Sequence, residues 1–268
     1  MIKIAIIGFG RMGKEILRQC LEDKLAVVAV VDAPESLGIG KDAGSLAGLE
    51  ALGVMVTSAS DLSRTLEKAR PDVAVDFTSP QATVMNSRIA ADKGVDLVIG
   101  TTGLSEKDIL EIKETAKKNN VGVVLSPNMS IGVNIFWKIA EKMAELLPDY
   151  DVEILEKHHR FKKDAPSGTA LKTAQVIEDA LARSLSKDAV YGRKGLSERK
   201  KHEIGIHAVR AGDIVGEHTV LFGTLGETLE LTHKAHSRGA LAKGASAAAR
   251  YVHGKKGFYG MKEVLGLD

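Results

Sequence analysis

The chain has 268 residues, 37 of them basic and 35 acidic, and a formal net charge of +2. This length permits two domains, and the near balance of charge excludes a chain-wide attraction to nucleic acid or to an acidic membrane surface. Cys20 is the single cysteine, which excludes an internal disulfide and a cysteine-based metal cluster and leads us to expect a cytoplasmic protein. The sequence contains no run of roughly twenty apolar residues, which a membrane helix would need.

Short apolar runs alternate with helical patterns through the first half of the chain. The runs are rich in valine and isoleucine and are continuous, as strands buried on both faces of a sheet should be. They are Lys3–Ile7, Ala26–Val31, Val54–Val56, Val73–Phe77, Leu97–Ile99 and Gly122–Leu125. The predicted helices between them are Gly13–Leu21, Asp61–Ala69, Ala82–Lys93 and Glu106–Lys118. This order predicts an α/β fold with a Rossmann-type, doubly wound parallel sheet.

The pattern changes after Asn128. Gly132–Leu147 has helical spacing, with one face formed by Ile135, Phe136, Ile139, Met143 and Leu146. The strand Asp151–Leu155 leads into two adjacent histidines. A second amphipathic helix begins at Ser167 or Gly168 and carries, near helical spacing, Leu171, Ala174, Ile177, Leu181 and Leu185. The polar, cationic stretch 186–201 is predicted to be a mobile loop.

Three strand-like runs separated by short turns with glycine come next. They are Glu203–Val209, Glu217–Phe222 and Thr228–Thr232. Tight turns between long strands predict an antiparallel or mixed sheet, and therefore a smaller α+β domain over residues 129–238. The alanine-rich helix Gly239–His253 has too few bulky side chains for a core of its own. We therefore predict that residues 239–268 return to the first domain, residues 1–128.

A G-x-G-x-x-G motif follows the first predicted strand: Gly8, Phe9, Gly10, Arg11, Met12 and Gly13. Alone it is a weak signal, since the glycines can serve only a tight turn. The strand before it, the helix after it and Asp32 at the end of the next strand fit a dinucleotide-binding site. The glycines would let the backbone approach a pyrophosphate, whose charge is held by amides at the helix N-terminus.

Asp32 indicates which dinucleotide is used. Its carboxylate can accept hydrogen bonds from the ribose hydroxyls of NADH, whereas it would repel the 2′-phosphate of NADPH. Ala33 and Pro34 follow it, so no arginine stands beside the acid, although Lys41 and Arg11 are alternative partners for that phosphate. We expect NADH to be used at least as well as NADPH.

Two further loops follow strands of the predicted parallel sheet. The first contains Gly100, Thr101 and Thr102, and the second contains Ser126, Pro127 and Asn128, followed by Met129. Ligands of such sheets bind beyond the carboxyl ends of the strands, so both loops are predicted to border the nicotinamide. As ordinary connecting turns they would look similar.

The stretch EKHHRFKKDAPSGTA, residues 156–170, places two histidines and several cations before a helix. A metal site is poorly supported, because adjacent strand residues point to opposite faces and no well-spaced third ligand follows. Ser167 lacks the G-x-S-x-G pattern of a nucleophile and is better explained as a helix cap. Nucleic acid would require a wider basic surface with aromatic residues.

A site for a small dianion uses every part of this stretch. Pro166 would end the strand, and the amides of residues 167–169 would lie at the positive end of a helix, where a carboxylate is stabilised by roughly 0.3–2 kcal/mol. His158 and His159 would supply titratable donors. The nearby cations are Arg160, Lys162 and Lys163, of which some are ordinary solvated side chains.

Together these motifs resemble the 4-hydroxy-tetrahydrodipicolinate reductase family, also called dihydrodipicolinate reductases, of lysine biosynthesis through diaminopimelate. The resemblance covers essentially the whole chain through GFGRMG, VDFTSP, GTTG, SPNMSIGVN, EKHHRFKKDAPSGTA and HAVRAGDIVGEH. It implies an NAD(P)H-dependent reduction of a cyclic dicarboxylate with loss of water. It also implies a homotetramer whose second domain binds substrate and builds the tetramer.

The resemblance implies roles for particular residues. His158 would act as proton donor or acceptor and Lys162 as proton donor, while substrate would be bound by His159, Gly168 and Thr169. Because cofactor and substrate would bind to different domains, we expect domain closure before chemistry.

Other functions fit parts of the sequence. Another two-domain reductase of a small carboxylate would share the cofactor half, and a non-catalytic NADH-sensing regulator would not require the histidine–lysine cluster. An aldehyde dehydrogenase with a thiol nucleophile is disfavoured, because Cys20 lies in the first predicted helix and is expected to be a packing residue.

Overall fold

A computed structural model describes residues 1–267. The chain divides into two compact units. The first unit contains Met1–Ile131 and the chain from Arg238 onward, and the second unit is Gly132–Ser237. In the described part of the chain, none of the helices is both long and apolar enough to span a bilayer.

The elements are numbered in chain order. The strands are β1 (Lys3–Ile7), β2 (Ala26–Asp32), β3 (Val56–Ser58), β4 (Val73–Asp76), β5 (Asp96–Ile99), β6 (Gly122–Leu125), β7 (Asp151–His158), β8 (Ala189–Tyr191), β9 (Ile204–Arg210), β10 (Gly216–Thr224), β11 (Glu227–Ala235) and β12 (Gly257–Tyr259). The α-helices are α1 (Arg11–Glu22), α2 (Ala43–Leu46), α3 (Leu62–Ala69), α4 (Pro80–Asp92), α5 (Glu106–Asn119), α6 (Ile131–Leu146), α7 (Gly168–Leu181), α8 (Leu185–Asp188), α9 (Gly239–Val252) and α10 (Met261–Leu265).

The first unit is built on a seven-stranded sheet with the order β12-β6-β5-β4-β1-β2-β3. All neighbouring strands are parallel, which confirms the predicted doubly wound α/β sheet. The valine and isoleucine side chains of its strands are buried on both faces, in two separate apolar cores. The strand order reverses between β1 and β4, where ligands of such sheets bind.

Helix α9 completes one of these cores by packing against α1. Its alanines are buried in the same core as Leu17 and Cys20, and burial raises the pKa of the Cys20 thiol to about 12. Cys20 is therefore a packing residue, as predicted. Helix α9 also passes close to the backbone of Met129. This requires a glycine at position 244, because a Cβ there would lie 1.6 Å from the carbonyl oxygen of Met129.

The second unit contains a mixed five-stranded sheet with the order β11-β10-β7-β9-β8. Strand β10 is antiparallel to β7 and β11, whereas β9 is parallel to β7 and β8. On one face, alternate residues such as Ile154 and Phe222 form a core with Trp137 of α6 and Ile177 of α7. The predicted mixed sheet is confirmed.

Several sequence predictions for the second unit were wrong in detail. Strand β7 continues to His158, so Pro166 does not end it. Helix α7 ends at a left-handed Ala182, with φ 50°, and Leu185 therefore belongs to the separate helix α8. The predicted loop 186–201 contains part of α8 and strand β8, which pairs with β9.

The buried face of α6 also differs from the prediction. Ile135, Ile139 and Leu146 are exposed, and the helix buries instead a narrower row that includes Phe136, Trp137 and Ala140. Trp137 is large enough to fill the space over the sheet, and its indole N–H donates to Thr173 Oγ1 at 3.1 Å.

In the first unit, strand β3 begins two residues later than predicted. The carbonyl of Val54 accepts a hydrogen bond from the Ala43 amide, and Met55 forms an isolated bridge with Asp42. Elements α2, β12 and α10 are short and were not predicted.

Candidate functional site

A cavity of about 730 Å³ lies in the first unit where the strand order reverses. Gly8 and Gly10 line it from the β1–α1 turn, and Asp32 and Ala33 line it from the end of β2. Gly10 is the N-cap of α1, so the positive end of that helix faces the cavity. The residues present fit a dinucleotide: a helix start for the pyrophosphate and a carboxylate for the ribose.

The three glycines of the G-x-G-x-x-G motif differ in what a side chain at each position would meet. Gly8 has φ +90°, and a Cβ there would lie 2.6 Å from Phe77 O. A Cβ on Gly13 would lie 2.2 Å from Gly8 O, so this glycine permits close packing of α1 on the turn. A Cβ on Gly10 would meet no atom within 4 Å. Gly8 and Gly13 thus serve the fold, whereas Gly10 leaves open space at the cavity.

Asp32 shapes this turn as well as lining the cavity. Its Oδ1 accepts the Phe9 amide at 3.1 Å, and its Oδ2 accepts Ser36 Oγ at 2.6 Å. Each carboxylate oxygen can accept a further hydrogen bond. The Phe9 ring is buried, and the side chain of Arg11 is exposed and does not line the cavity.

A second cavity of about 300 Å³ adjoins the two predicted nicotinamide loops. Its lining includes the predicted residues Met12, Gly100, Thr101, Thr102, Pro127, Asn128 and Met129. Ser126 does not line it; the Ser126 hydroxyl donates to Asn128 O at 2.8 Å and so shapes the loop. Packing requires a glycine at position 100, because a Cβ there would lie 2.1 Å from the ring of Phe77.

The buried carboxylate of Asp76 supports the same loops and was not predicted. Its Oδ1 accepts the amide and the hydroxyl of Thr78, at 3.0 and 2.6 Å, and the hydroxyl of Thr101 at 3.3 Å. Its Oδ2 accepts Asn86 Nδ2 at 2.8 Å. Burial raises the pKa of this carboxyl, against the effect of those hydrogen bonds. Asp76 therefore joins the β4–α4 turn to the Thr101 loop.

The second unit holds the predicted acid–base residues at the end of β7. His158 is the last residue of the strand, and its Nδ1 lies 2.7 Å from Oε2 of Glu156. Arg210, at the end of β9, donates to both oxygens of Glu156 at 2.7 Å. Glu156 has no solvent exposure. The histidine therefore contacts a buried carboxylate that is paired with a half-buried guanidinium.

The start of α7 is connected to the same carboxylate. The amide of Ser167 donates to Glu156 Oε1 at 3.0 Å, so this amide is not available to a ligand, contrary to the prediction. The Ser167 hydroxyl accepts the Ala170 amide at 3.2 Å, which supports its interpretation as a helix cap. It also lies 3.0 Å from Nε2 of the buried His218.

The remaining predicted site residues lie in the first turn of α7 and in the segment between β7 and α7. Gly168 is exposed, and a Cβ there would meet no atom within 4 Å. Thr169 and His159 are half-buried. The ammonium of Lys162 is paired with both oxygens of Asp164 at 2.9 Å. Lys162 thus reaches any ligand only by leaving or sharing Asp164.

The pKa of His158 is lowered by its surroundings. Burial has the largest effect; the neighbouring Glu156 opposes it, and the charges of Lys162 and Arg210 add to the lowering. The surroundings of His158 therefore favour a neutral imidazole, which a bound dianion would help to protonate. Such a group can donate or accept a proton near neutral pH.

His218 gives the fold a measurable dependence on pH. Burial, with the nearby His158, lowers the pKa of His218 from its ordinary 6.5 to about 3. Below pH 6.5 the unfolded chain binds a proton that the folded chain does not bind until about pH 3. As the pH is lowered from 6.5 to about 3, we expect the free energy of unfolding to fall by up to about 1.4 kcal/mol per pH unit.

Urea unfolding of the protein between pH 7 and pH 4 measures this effect. The variant His218→Gln, which cannot titrate there, should show a flatter pH dependence. If the free energy of unfolding of this variant depends on pH as it does in the unaltered protein, His218 is not the source of the effect.

Sequence reasoning missed Glu156, Arg210 and His218 as site residues. A signal was present in the strand pattern: Glu156 and His158 fall on the same face as the buried Val152 and Ile154. A charged residue at a core-facing position indicates a paired buried group. Among residues 1–267, no cluster of histidine, cysteine and acidic side chains is arranged to hold a metal ion.

Comparison with protein families gives full-length matches. The family model for the N-terminus of dihydrodipicolinate reductase matches residues 2–129, and that for its C-terminus matches residues 132–265. A Methanocaldococcus jannaschii protein named 4-hydroxy-tetrahydrodipicolinate reductase is 49% identical over 272 residues, covering 100% of this chain and 98% of its own length. A Methanothermobacter thermautotrophicus protein of the same name is 46% identical over 273 residues, covering 100% of both chains.

Solved structures give the same result for the fold. Dihydrodipicolinate reductase from Paenisporosarcina sp. TG-14, solved with dipicolinate bound, has a TM-score of 0.79 and 28% identity, covering 98% of each chain. An amine dehydrogenase from Mycobacterium smegmatis has a TM-score of 0.60 and 17% identity, covering 96% of this chain and 94% of that one, and shares the fold alone.

Proposed function

The chain belongs to the dihydrodipicolinate reductase family, and we propose on that basis that it is an oxidoreductase that reduces 4-hydroxy-tetrahydrodipicolinate to tetrahydrodipicolinate with loss of water. This reaction belongs to lysine biosynthesis through diaminopimelate. The observation that supports it best is the linked His158–Glu156–Ser167 group, which places an acid–base imidazole beside a capped helix start suited to a carboxylate.

The first unit is proposed to hold the nicotinamide cofactor. The start of α1 at Gly10 would bind the pyrophosphate and Asp32 the adenosine ribose. The loops containing Thr101 and Asn128 would border the nicotinamide. When bound, the reduced nicotinamide supplies a hydride.

The second unit is proposed to hold the substrate and to manage its proton. The first turn of α7, at Gly168 and Thr169, would bind one carboxylate, and His159 would add a polar contact. His158 and Lys162 would provide the proton that the reduced ring requires. Fixing the ring in one orientation lowers the barrier by several kcal/mol, because positioning removes much of the entropy cost of reaction.

An activity assay tests this function directly. The protein is mixed with NADH and the freshly generated product of the synthase that forms the substrate, and the loss of NADH absorbance is followed. Rapid oxidation of NADH, with tetrahydrodipicolinate as product, is expected. Steady absorbance from a protein that binds NADH would favour the non-catalytic regulator.

Gly168→Ala is a sensitive test of the proposed carboxylate site. Because a Cβ at this position would meet no atom of the chain within 4 Å, the variant should fold normally. The added methyl group would occupy the space in which the substrate is proposed to bind. We expect KM to rise roughly 10-fold, about 1.4 kcal/mol of binding energy, without loss of thermal stability. An unchanged KM would place the substrate elsewhere.

Cofactor preference follows from the charge at the end of β2. Asp32 would repel a 2′-phosphate, and Ala33 and Pro34 beside it supply no compensating cation. We expect kcat/KM with NADH to equal or exceed that with NADPH. Side-by-side assays measure the ratio, and a clear advantage for NADPH would contradict this reasoning.

A homotetramer is proposed as the assembly, and a cytoplasmic location follows from its proposed metabolic role. One face of the second unit's sheet packs on its helices. On the other face, side chains such as Leu155, Val209 and Leu221 remain partly exposed in the single chain, which suits an interface between sheets. Sedimentation equilibrium should give the mass of four chains; a monomer would contradict the proposal.

A further inference from the structure

The carboxylate of Glu156 has a complete set of partners inside the second unit. Its Oε2 faces His158 Nδ1 and Arg210 Nη1, and its Oε1 accepts Arg210 Nη2 and the amide of Ser167. All four distances lie between 2.7 and 3.0 Å, although the side chain is fully buried. A buried carboxylate in such surroundings is either a structural ion pair or part of the site it adjoins.

The charge of Glu156 determines which nitrogen of His158 carries a proton. Burial acts to raise the pKa of Glu156, but the hydrogen bonds from Arg210, His158 and Ser167 outweigh burial and hold it below its usual value. The ionised carboxylate only accepts hydrogen bonds. Nδ1 of His158 must therefore be the donor, and Nε2 is the nitrogen that exchanges a proton with a ligand.

The same carboxylate links that imidazole to the helix start. Because Oε1 accepts the amide of Ser167, the N-cap of α7 is fixed relative to β7. Arg210 strengthens this link by donating to Asp164 O at 2.6 Å, in the segment between the histidines and α7. One side chain thus sets both the orientation of the acid–base group and the position of the proposed carboxylate site.

We infer that Glu156, held by Arg210, is a positioning residue that fixes the Nδ1–H tautomer of His158 and keeps its imidazole aligned with the first turn of α7. The kinetic part of this inference rests on the proposed function; the tautomer does not.

Nuclear magnetic resonance of the imidazole nitrogens tests the tautomer without any substrate. The neutral His158 of the unaltered protein should carry its proton on Nδ1. In Glu156→Gln, the pKa of His158 should fall and the tautomers should mix, because the carboxylate that favours the charged imidazole is gone. The other ionisable groups near this imidazole are unchanged in that variant: Lys162, Asp164, Arg210 and His218.

A double variant separates positioning from folding. Glu156→Gln leaves the half-buried Arg210 beside a neutral partner and is expected to be unstable. Glu156→Gln combined with Arg210→Met removes both charges together. In this double variant kcat should fall about 10-fold or more, a part of the roughly 10²–10⁴-fold that a positioned proton donor contributes. KM for NADH should stay unchanged.

Glu153→Gln is a matched control on the opposite face of β7. Glu153 also contacts a histidine and an arginine, with His207 Nε2 at 2.7 Å and Arg199 Nη1 at 2.9 Å. Its replacement should not move the pKa or tautomer of His158. A proton on Nε2 of neutral His158 in the unaltered protein, or a folded double variant with unaltered kcat and pH profile, would overturn the inference. If the unaltered protein does not reduce the proposed substrate, the proposed function fails while the resonance result still decides the tautomer.

Discussion

Replacing His158 or Lys162 by alanine is expected to lower kcat by roughly 100-fold or more, because each is proposed to transfer a proton in the reaction. NADH affinity should be unaffected, since both residues lie in the second unit and the dinucleotide cavity lies in the first. Steady-state kinetics and calorimetric titration with NADH measure the two quantities separately.

Lys163→Ala is the matched control for the lysine variant. Lys163 is the next residue in the chain and is exposed, whereas the side chain of Lys162 is 21% exposed and paired with Asp164. We expect kcat of Lys163→Ala to stay close to that of the unaltered protein, because Lys163 has no part in the proposed proton transfer. Near-normal kcat in both His158→Ala and Lys162→Ala would remove these residues from the proposed proton transfer.

Two glycine substitutions in the β1–α1 turn should affect different properties, one the stability of the first unit and the other the binding of NADH. Gly13→Ala would place a Cβ 2.2 Å from Gly8 O and is expected to destabilise the first unit by about 1–3 kcal/mol or more. Gly10→Ala meets no atom of the chain within 4 Å and should fold normally. We expect it to weaken NADH binding about 10-fold or more, because the methyl group enters the cavity at the helix start.

Thermal unfolding and NADH titration of both variants make this comparison. A stable Gly13→Ala protein would contradict the packing reason for that glycine. Unchanged NADH affinity in Gly10→Ala would place the pyrophosphate away from the start of α1.

The parallel sheet was predictable because its strands are buried on both faces. Such strands appear in the sequence as continuous apolar runs, and β1 and β6 were located to the residue. Helix α6 shows the limit of this reasoning: its sequence offers two apolar faces, and only the packing of Trp137 over the sheet decides which one is buried. The edge strand β12, Gly257–Tyr259, has only three residues, too few to show a strand pattern, so only its pairing with β6 defines it.

The candidate site was predictable only where it is local in sequence. His158, His159, Lys162 and the Gly168–Thr169 pair lie within one short stretch, whose resemblance to a known family implied their roles. Arg210 and His218 lie more than fifty residues after Glu156, and the register of β7 with β9 and β10 brings them to it. A single sequence without strand register cannot pair residues over that distance.

The first unit is assembled from both ends of the chain, and this has a consequence for biosynthesis. Its core needs α9 and its sheet needs β12, and both elements follow the second unit in the chain. The second unit is one continuous segment and can acquire its fold as soon as it has been translated. We therefore expect the first unit to complete its fold after the second unit, with its sheet edge at β6 unpaired until β12 has been translated.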